Sequence, residues 1–283
     1  MSVAQKVIKP IEIESFQYLL EHIEEYKEIF ITNAVIVFRG VAISRGQQLI
    51  LMRKFGDKTG WFPNSTSDIT KQWSYEENHS HTIDTYNKHN ISKDEILIPW
   101  HIEHIGYKNP AVGASWNMEK FTCERGIGNT LFVNVADVYD DFDDEKLEFL
   151  NKCRIAYLDY SSSIDEEPAI HPAIQLHRPS GRYALRLSPQ FNPLDKFCYL
   201  HEFDGTSPTE PQQDTFAKIC KEYVSAIQDN QANQQVHIWE QNDVVVADLF
   251  LMAHAVLGGF KPEDRFFYGC WAHAEESSKF GEN

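Results

Sequence analysis

The feature that most narrows the fold of this chain is a series of short apolar runs, each closed by turn residues and too brief for a helix of several turns. AVIVFRG (34–40), LIPWHIEHI (97–105), VGASWNM (112–118), TLFVNVA (130–136), RYALRL (182–187), VVVADLFLMA (244–253) and RFFYGCWAH (265–273) all read as strands, rich in β-branched and aromatic residues. Helical spacing is confined to ESFQYLLEHIEEYKEI (14–29), a stretch near 44–55 that ends at Gly56, a segment opening in DDFDDEKLEFLNKC, and 210–230. Many short strands with few helices must hide their apolar faces against one another. The pattern predicts a mainly β protein, two packed sheets buttressed by flanking helices.

Between about 60 and 96 the pattern dissolves into polar text with scattered aromatics (Trp61, Phe62, Trp73, Tyr75, Tyr86), too long for an ordinary connection. A lid over an active site is the expectation there. No Pro/Gly/Ser-rich linker, composition shift or internal repeat divides the 283 residues, so residues 1–283 read as one domain with a sizeable core.

Charge excludes some partners. With 42 acidic against 26 basic side chains the net charge is −16, a field that repels nucleic-acid backbones and anionic lipid surfaces. No apolar run has the length of a membrane span, and the N-terminal text lacks the apolar stretch of a secretory signal, so a cytoplasmic location is expected. Five scattered cysteines (Cys123, Cys153, Cys198, Cys220, Cys270) contain no CxxC pair and suggest neither a disulfide framework nor a thiolate zinc site. The expected partner is a small molecule; a single subunit and a homo-oligomer both remain open.

His101 and Glu103 stand two apart on a predicted strand, so both side chains project from one face and can converge on one ion. His254 is a single imidazole delivered by an apolar run just before the Gly258-Gly259 turn. Two histidines and one carboxylate on one face of an octahedral metal leave three positions open, as in non-haem ferrous oxygenases. A zinc hydrolase could use the same three residues, and a non-catalytic small-molecule sensor is a further alternative. His79 and His81, a rival pair in a polar stretch, read as solvated. Two further residues fit an oxygenase. Arg265 offers a planar cationic fork to a carboxylate, and Thr130, after the turn GIGN, offers a hydroxyl.

Four blocks in order carry a family resemblance: VIVFRGVAISRGQQLILMRKFGD; WHIEHIGYKNPAVGASWNM with RGIGNTLFVNVADVYDDF; HPAIQLHRPSGRYALRL; and WEQNDVVVADLFLMAHAV with EDRFFYGCW. The chain resembles the taurine dioxygenase (TauD/TfdA) family of iron(II)/2-oxoglutarate-dependent oxygenases. The resemblance implies a double-stranded β-helix core, jelly-roll or cupin-like, with Fe(II) as cofactor and 2-oxoglutarate and O2 as co-substrates. Carried over residue by residue, His101, Glu103 and His254 would be the metal ligands and catalytic centre, and Thr130 and Arg265 would bind the distal carboxylate of 2-oxoglutarate. His171, Pro172, Gly181 and Arg182 match the pattern as turn and scaffold positions. The expected reaction is hydroxylation, desaturation or epoxidation, and a carboxylate ligand at Glu103 argues against chlorination. Two departures bear on substrate. Gly269 stands where the taurine-oxidising pattern carries a sulfonate-gripping arginine, and Glu103 replaces the usual aspartate, as in clavaminate synthase-like relatives. Both imply an amino-acid-derived substrate in specialised biosynthesis rather than an alkylsulfonate.

Overall fold

The computed structural model describes residues 5–59, 72–74, 91–108, 110–158, 167–192, 197–261 and 264–273. The chain opens with β1 (Lys6–Val7), β2 (Ile11–Glu12), α1 (Phe16–Glu21), α2 (Ile23–Asn33), β3 (Val35–Arg39) and α3 (Arg45–Thr59). Next come β4 (Gln72–Ser74), β5 (Ile96–His101), β6 (Ala111–Phe121), β7 (Thr130–Asn134), α4 (Val135–Asp140), α5 (Asp144–Asn151) and β8 (Cys153–Tyr157). Then follow β9 (Ala169–Pro172), β10 (Ile174–His177), β11 (Arg182–Leu185), β12 (Cys198–Phe203) and α6 (Glu210–Gln228). The chain closes through β13 (Gln234–His237), β14 (Val244–Asp248), β15 (Met252–Leu257) and β16 (Arg265–His273).

Two sheets form the centre: a five-stranded one, β1-β13-β7-β15-β5, and a six-stranded one, β2-β3-β14-β6-β16-β4. They are antiparallel apart from the short pairs β1 with β13 and β2 with β3. Trp116 of β6 packs against Phe132 of β7 and His254 of β15, with ring centroids 6.3 and 5.3 Å apart, so the sheets meet face to face. These are the two packed sheets the strand pattern predicted, in the jelly-roll core the family resemblance implies. β14 is buried along its whole length between β3 and β6, which is why its text is a continuous apolar run rather than an alternation. The three-stranded sheet β12-β8-β9 and the hairpin β10-β11 complete the described sheets, and α6 packs Phe216, Ile219, Cys220, Tyr223 and Ile227 into the core.

Several boundaries differ from the sequence expectation, and polar side chains that capture backbone N–H groups cause the larger differences. The strand expected over 244–253 breaks at Asp248, whose Oδ1 accepts from the backbone of Phe250 and Leu251 at 2.9 and 3.1 Å; β15 starts afresh beyond that turn, so His254 lies within a strand of its own. The strand expected over 130–136 stops at Asn134, whose side chain accepts from Ala136 N at 2.9 Å and caps α4. The helix expected over 14–29 is two helices joined at His22 and runs on to Asn33, where Ala34 adopts a left-handed φ of 60°. α3 continues past Gly56 to Thr59. The strand expected over 97–105 ends at His101, and Glu103 lies in the turn beyond it. Of the expected 60–96 lid, residues 72–74 form β4 against β16; the five aromatics' side chains, like His79 and His81, lie outside the described residues.

Candidate active site

Among the described residues β5 is an edge strand of the five-stranded sheet and pairs with β15 alone. That is why Pro99, which has no N–H to donate, is accommodated in it. The register places His101 directly opposite His254, with ring centroids 4.1 Å apart. Glu103 reaches the same place from the turn, not from the strand face expected of it. Its Oε2 lies 3.3 Å from His101 Nε2 and 3.6 Å from His254 Nε2, and one ligand atom from each of the three residues lies within 4.8 Å of the others. His101 Nδ1 donates to the Pro99 carbonyl at 2.8 Å, which turns Nε2 toward the cluster. The donor set is thus two imidazole nitrogens and one carboxylate oxygen.

Electrostatics describe what this cluster wants. Burial works against a charge on His101, but the hydrogen bond and negative charge of Glu103 outweigh it and raise the imidazole above its ordinary value. Burial likewise opposes ionisation of Glu103, yet the His101 hydrogen bond and the nearby charges of His104, His101 and His254 hold its carboxyl well below the usual range. His254, only 5% exposed and wedged between Trp116 and Phe132, is pushed down to about 3 by burial and by the charge of His101. A carboxylate, one imidazole that seeks a cation and one that stays neutral fit a divalent metal, which neutralises the carboxylate and accepts both nitrogen lone pairs.

The three residues line a cavity of about 200 Å³ whose walls come from both sheets. Ile98, Thr130 and Val256 face it from one side; Trp116, Arg265, Phe267 and Trp271 face it from the other. Arg265 is 2% exposed and lies among the rings of Phe260, Trp239 and Phe267 at 5.1, 5.3 and 5.5 Å. Glycine at 128 is required for this cage: its φ is +66°, and a Cβ there would stand 2.8 Å from Phe260 Cδ1. Thr130 Oγ1 accepts the Trp239 indole N–H at 2.9 Å, so threonine and arginine are tied to one tryptophan.

The structure therefore brings all five sequence-derived residues to one cavity. It also adds Trp239, Trp116 and Trp271 to the lining, and His104 beside Glu103, which the sequence reading passed over; for Trp239 the available signal was an indole whose N–H needs a buried partner. The scaffold positions bear out their reading. His171 Nε2 donates to the Tyr107 carbonyl at 3.0 Å, Gly181 takes a φ of +69°, and Arg182 bonds Asp137 and Asp140 of α4. Among the described residues, no helix is long and apolar enough to cross a membrane, and the cysteines are free thiols, four of them buried.

Among solved structures, AAD-2 in complex with Mn(II) and N-oxalylglycine superposes with a TM-score of 0.65 at 16% identity, over 98% of this chain and 97% of that one. A taurine dioxygenase from Burkholderia xenovorans superposes with a TM-score of 0.63 at 15% identity, over 96% and 91%. At such identities the likeness concerns the fold. Among curated protein sequences none matches. The profile of the family described as "Taurine catabolism dioxygenase TauD, TfdA family" matches residues 4–271, nearly the whole chain, and the chain accordingly belongs to this family of Fe(II)/2-oxoglutarate-dependent dioxygenases.

Proposed function

We propose that His101, Glu103 and His254 hold the Fe(II) of this dioxygenase, that Thr130 and Arg265 receive the distal carboxylate of 2-oxoglutarate, and that the substrate is a small amino-acid-derived molecule. The observation that carries the reading is that three convergent metal-donor atoms and a buried guanidinium line one small cavity. Bound ferrous iron with 2-oxoglutarate and dioxygen supplies the oxidative decarboxylation to succinate and carbon dioxide that drives substrate oxidation. The chain's own part is binding, orientation and exclusion of water. Arg265 keeps its charge when buried, and its aromatic cage gives the fork one orientation. Trp239 sets the direction of the Thr130 hydroxyl: because Oγ1 accepts from the indole, its proton is available to a carboxylate.

On the substrate side Gly269 supports the negative half of the reading. Its absent side chain leaves room for the Trp271 indole, which a Cβ at 269 would meet at 2.3 Å. An arginine reaching out from 269 would displace that ring, so the wall presents an indole instead of a cation. The positive half is supported by Glu103, the ligand type of the clavaminate synthase-like relatives, whose substrates are amino acids and their derivatives. The product class is hydroxylated, desaturated or epoxidised, within specialised biosynthesis. We read the chain as one catalytic domain.

A succinate-release screen over free and conjugated amino acids tests the assignment, with sulfite release from taurine as the counter-assay. Coupled succinate from an amino-acid derivative is expected; efficient sulfite release, or silence across the amino-acid panel, removes the substrate reading.

A further inference from the structure

We propose that His104 is a positioning residue for the metal carboxylate, holding Glu103 Oε1 so that Oε2 alone is presented between the two imidazoles. The inference rests on the reading of Glu103 as a ligand and extends it to a residue outside the ligand set.

Two independent observations carry it. The first is contact. His104 Nε2 lies 3.5 Å from Glu103 Oε1, whereas Oε2 is the oxygen that faces His101 and His254. The two carboxylate oxygens thus have different partners, an imidazole on one and the ligand cluster on the other. A carboxylate with one oxygen engaged offers a metal the other oxygen alone, which preserves open coordination positions that bidentate binding would consume.

The second is backbone. His104 has a φ of 55°, a left-handed conformation that residues with a Cβ adopt rarely, histidine more readily than most. In this turn the conformation accompanies a ring that lies beside the preceding side chain, Glu103. Surrounding contacts hold the turn in place. Ile102 and Ile105 are buried, Tyr107 N donates to the His104 carbonyl at 2.9 Å, and His171 pins the Tyr107 carbonyl. The ring is flanked by Tyr107, edge-on at 4.8 Å, and by Trp271 at 6.3 Å. An unfavourable backbone conformation kept beside a ligand, with the ring clamped on two sides, is what a fixed orienting group requires.

The test separates the imidazole from the turn. His104→Gly removes the ring while easing the positive φ; His104→Gln returns a side-chain N–H at similar reach. Apo protein is titrated anaerobically with Co(II), reading affinity and the intensity of the visible absorption, and thermal midpoints are recorded without metal. The expected result is a loss of Co(II) affinity of about 10- to 100-fold in His104→Gly, with an unchanged or higher midpoint, a changed absorption intensity, and recovery of most of the affinity in His104→Gln. Parent-like affinity and spectrum in His104→Gly would leave His104 a turn residue and overturn the proposal. Glu103→Ala is the control for the underlying reading: if it binds Co(II) as the parent does, the ligand assignment itself fails, and the His104 proposal with it.

Discussion

Among the described residues several histidines meet carboxylates, and two of these clusters have opposite characters. In one, Asp243 is fully buried and every approach to it is taken. Arg39 Nε and Nη2 bond its two oxygens at 2.7 Å each, Glu240 N donates to Oδ2 at 2.8 Å, and His237 Nε2 lies 3.1 Å from Oδ2. In the other, Glu103 keeps 21% of its side-chain surface, and its Oε2 meets two imidazoles at the wall of a cavity. A saturated carboxylate is a structural pin joining β3 to the β13-β14 segment. One that meets two imidazole Nε2 atoms at a cavity wall is a place for a cation. Proximity of histidine to carboxylate does not make a metal centre; donor saturation decides which kind of cluster results.

The contrast breaks most cleanly by removing one member from each cluster. His101→Ala or His254→Ala should abolish metal binding and turnover, a larger effect than the roughly 100-fold ceiling for losing an outer partner, while the apo thermal midpoint stays near that of the parent. Anaerobic titration with Fe(II) and 2-oxoglutarate, followed by its visible charge-transfer band, reads the first effect; full activity in either variant would end the ligand assignment. Asp243→Ala should do the reverse. Leaving Arg39 without its buried partner costs about 3 to 5 kcal/mol of stability, visible in chemical denaturation, with metal stoichiometry intact in the folded fraction.

Arg265 sharpens the comparison because it is a buried cation placed for a ligand. Arg265→Ala should raise the apparent 2-oxoglutarate requirement by the equivalent of about 2 to 5 kcal/mol. An unchanged requirement would move Arg265 into the same class as Arg39.

The smallest effect concerns His171, which supports the metal turn through Tyr107 and is pushed down to about 4, mainly by burial. Its folded value lies below the ordinary histidine value of about 6.5, so the folded state binds the proton less well than the unfolded state does. Its contribution is complete above about pH 6.5, falls as the pH drops, and levels off below about 4. The slope for one such group is at most about 1.4 kcal/mol per pH unit. Denaturation of the parent at pH 7 and pH 5 should differ by more than it does for His171→Gln; equal differences would remove His171 from the acid response.

The proposed ligand set was legible because each of its members carries a local signal: His101 and Glu103 two apart, and His254 alone in an apolar run. His237 and Asp243 likewise place an imidazole against a carboxylate, and what separates the clusters is Arg39, more than two hundred residues from Asp243 in sequence. No local pattern encodes that saturation. The strands around the cavity, β5, β6, β7, β15 and β16, were legible from apolar runs, whereas β8, β9, β10, β12 and β13 were not read, and strand ends at Asn134 and Asp248 depended on single side chains taking backbone protons. The aromatic lining of the cavity was illegible for a related reason: Trp116, Trp239 and Trp271 are ordinary core residues by composition and acquire their role only when the two sheets are stacked. Family membership removes the hydrolase and sensor alternatives that the residues alone left open.

The direct pairing of His101 with His254 has a consequence for how the edge of the barrel is assembled. Among the described residues β5 has one neighbour only, and edge strands paired on one side are prone to slip. A slip of one residue would turn His101 away from the cavity and destroy the proposed ligand set, so an ion held by both strands is a proofreading device that only correct alignment can engage. Metal uptake and edge alignment then become one coupled equilibrium. Amide exchange along Ile96–His101 should slow when the metal is added, while the neighbouring pairing of β7 with β15, enclosed on both sides, scarcely changes.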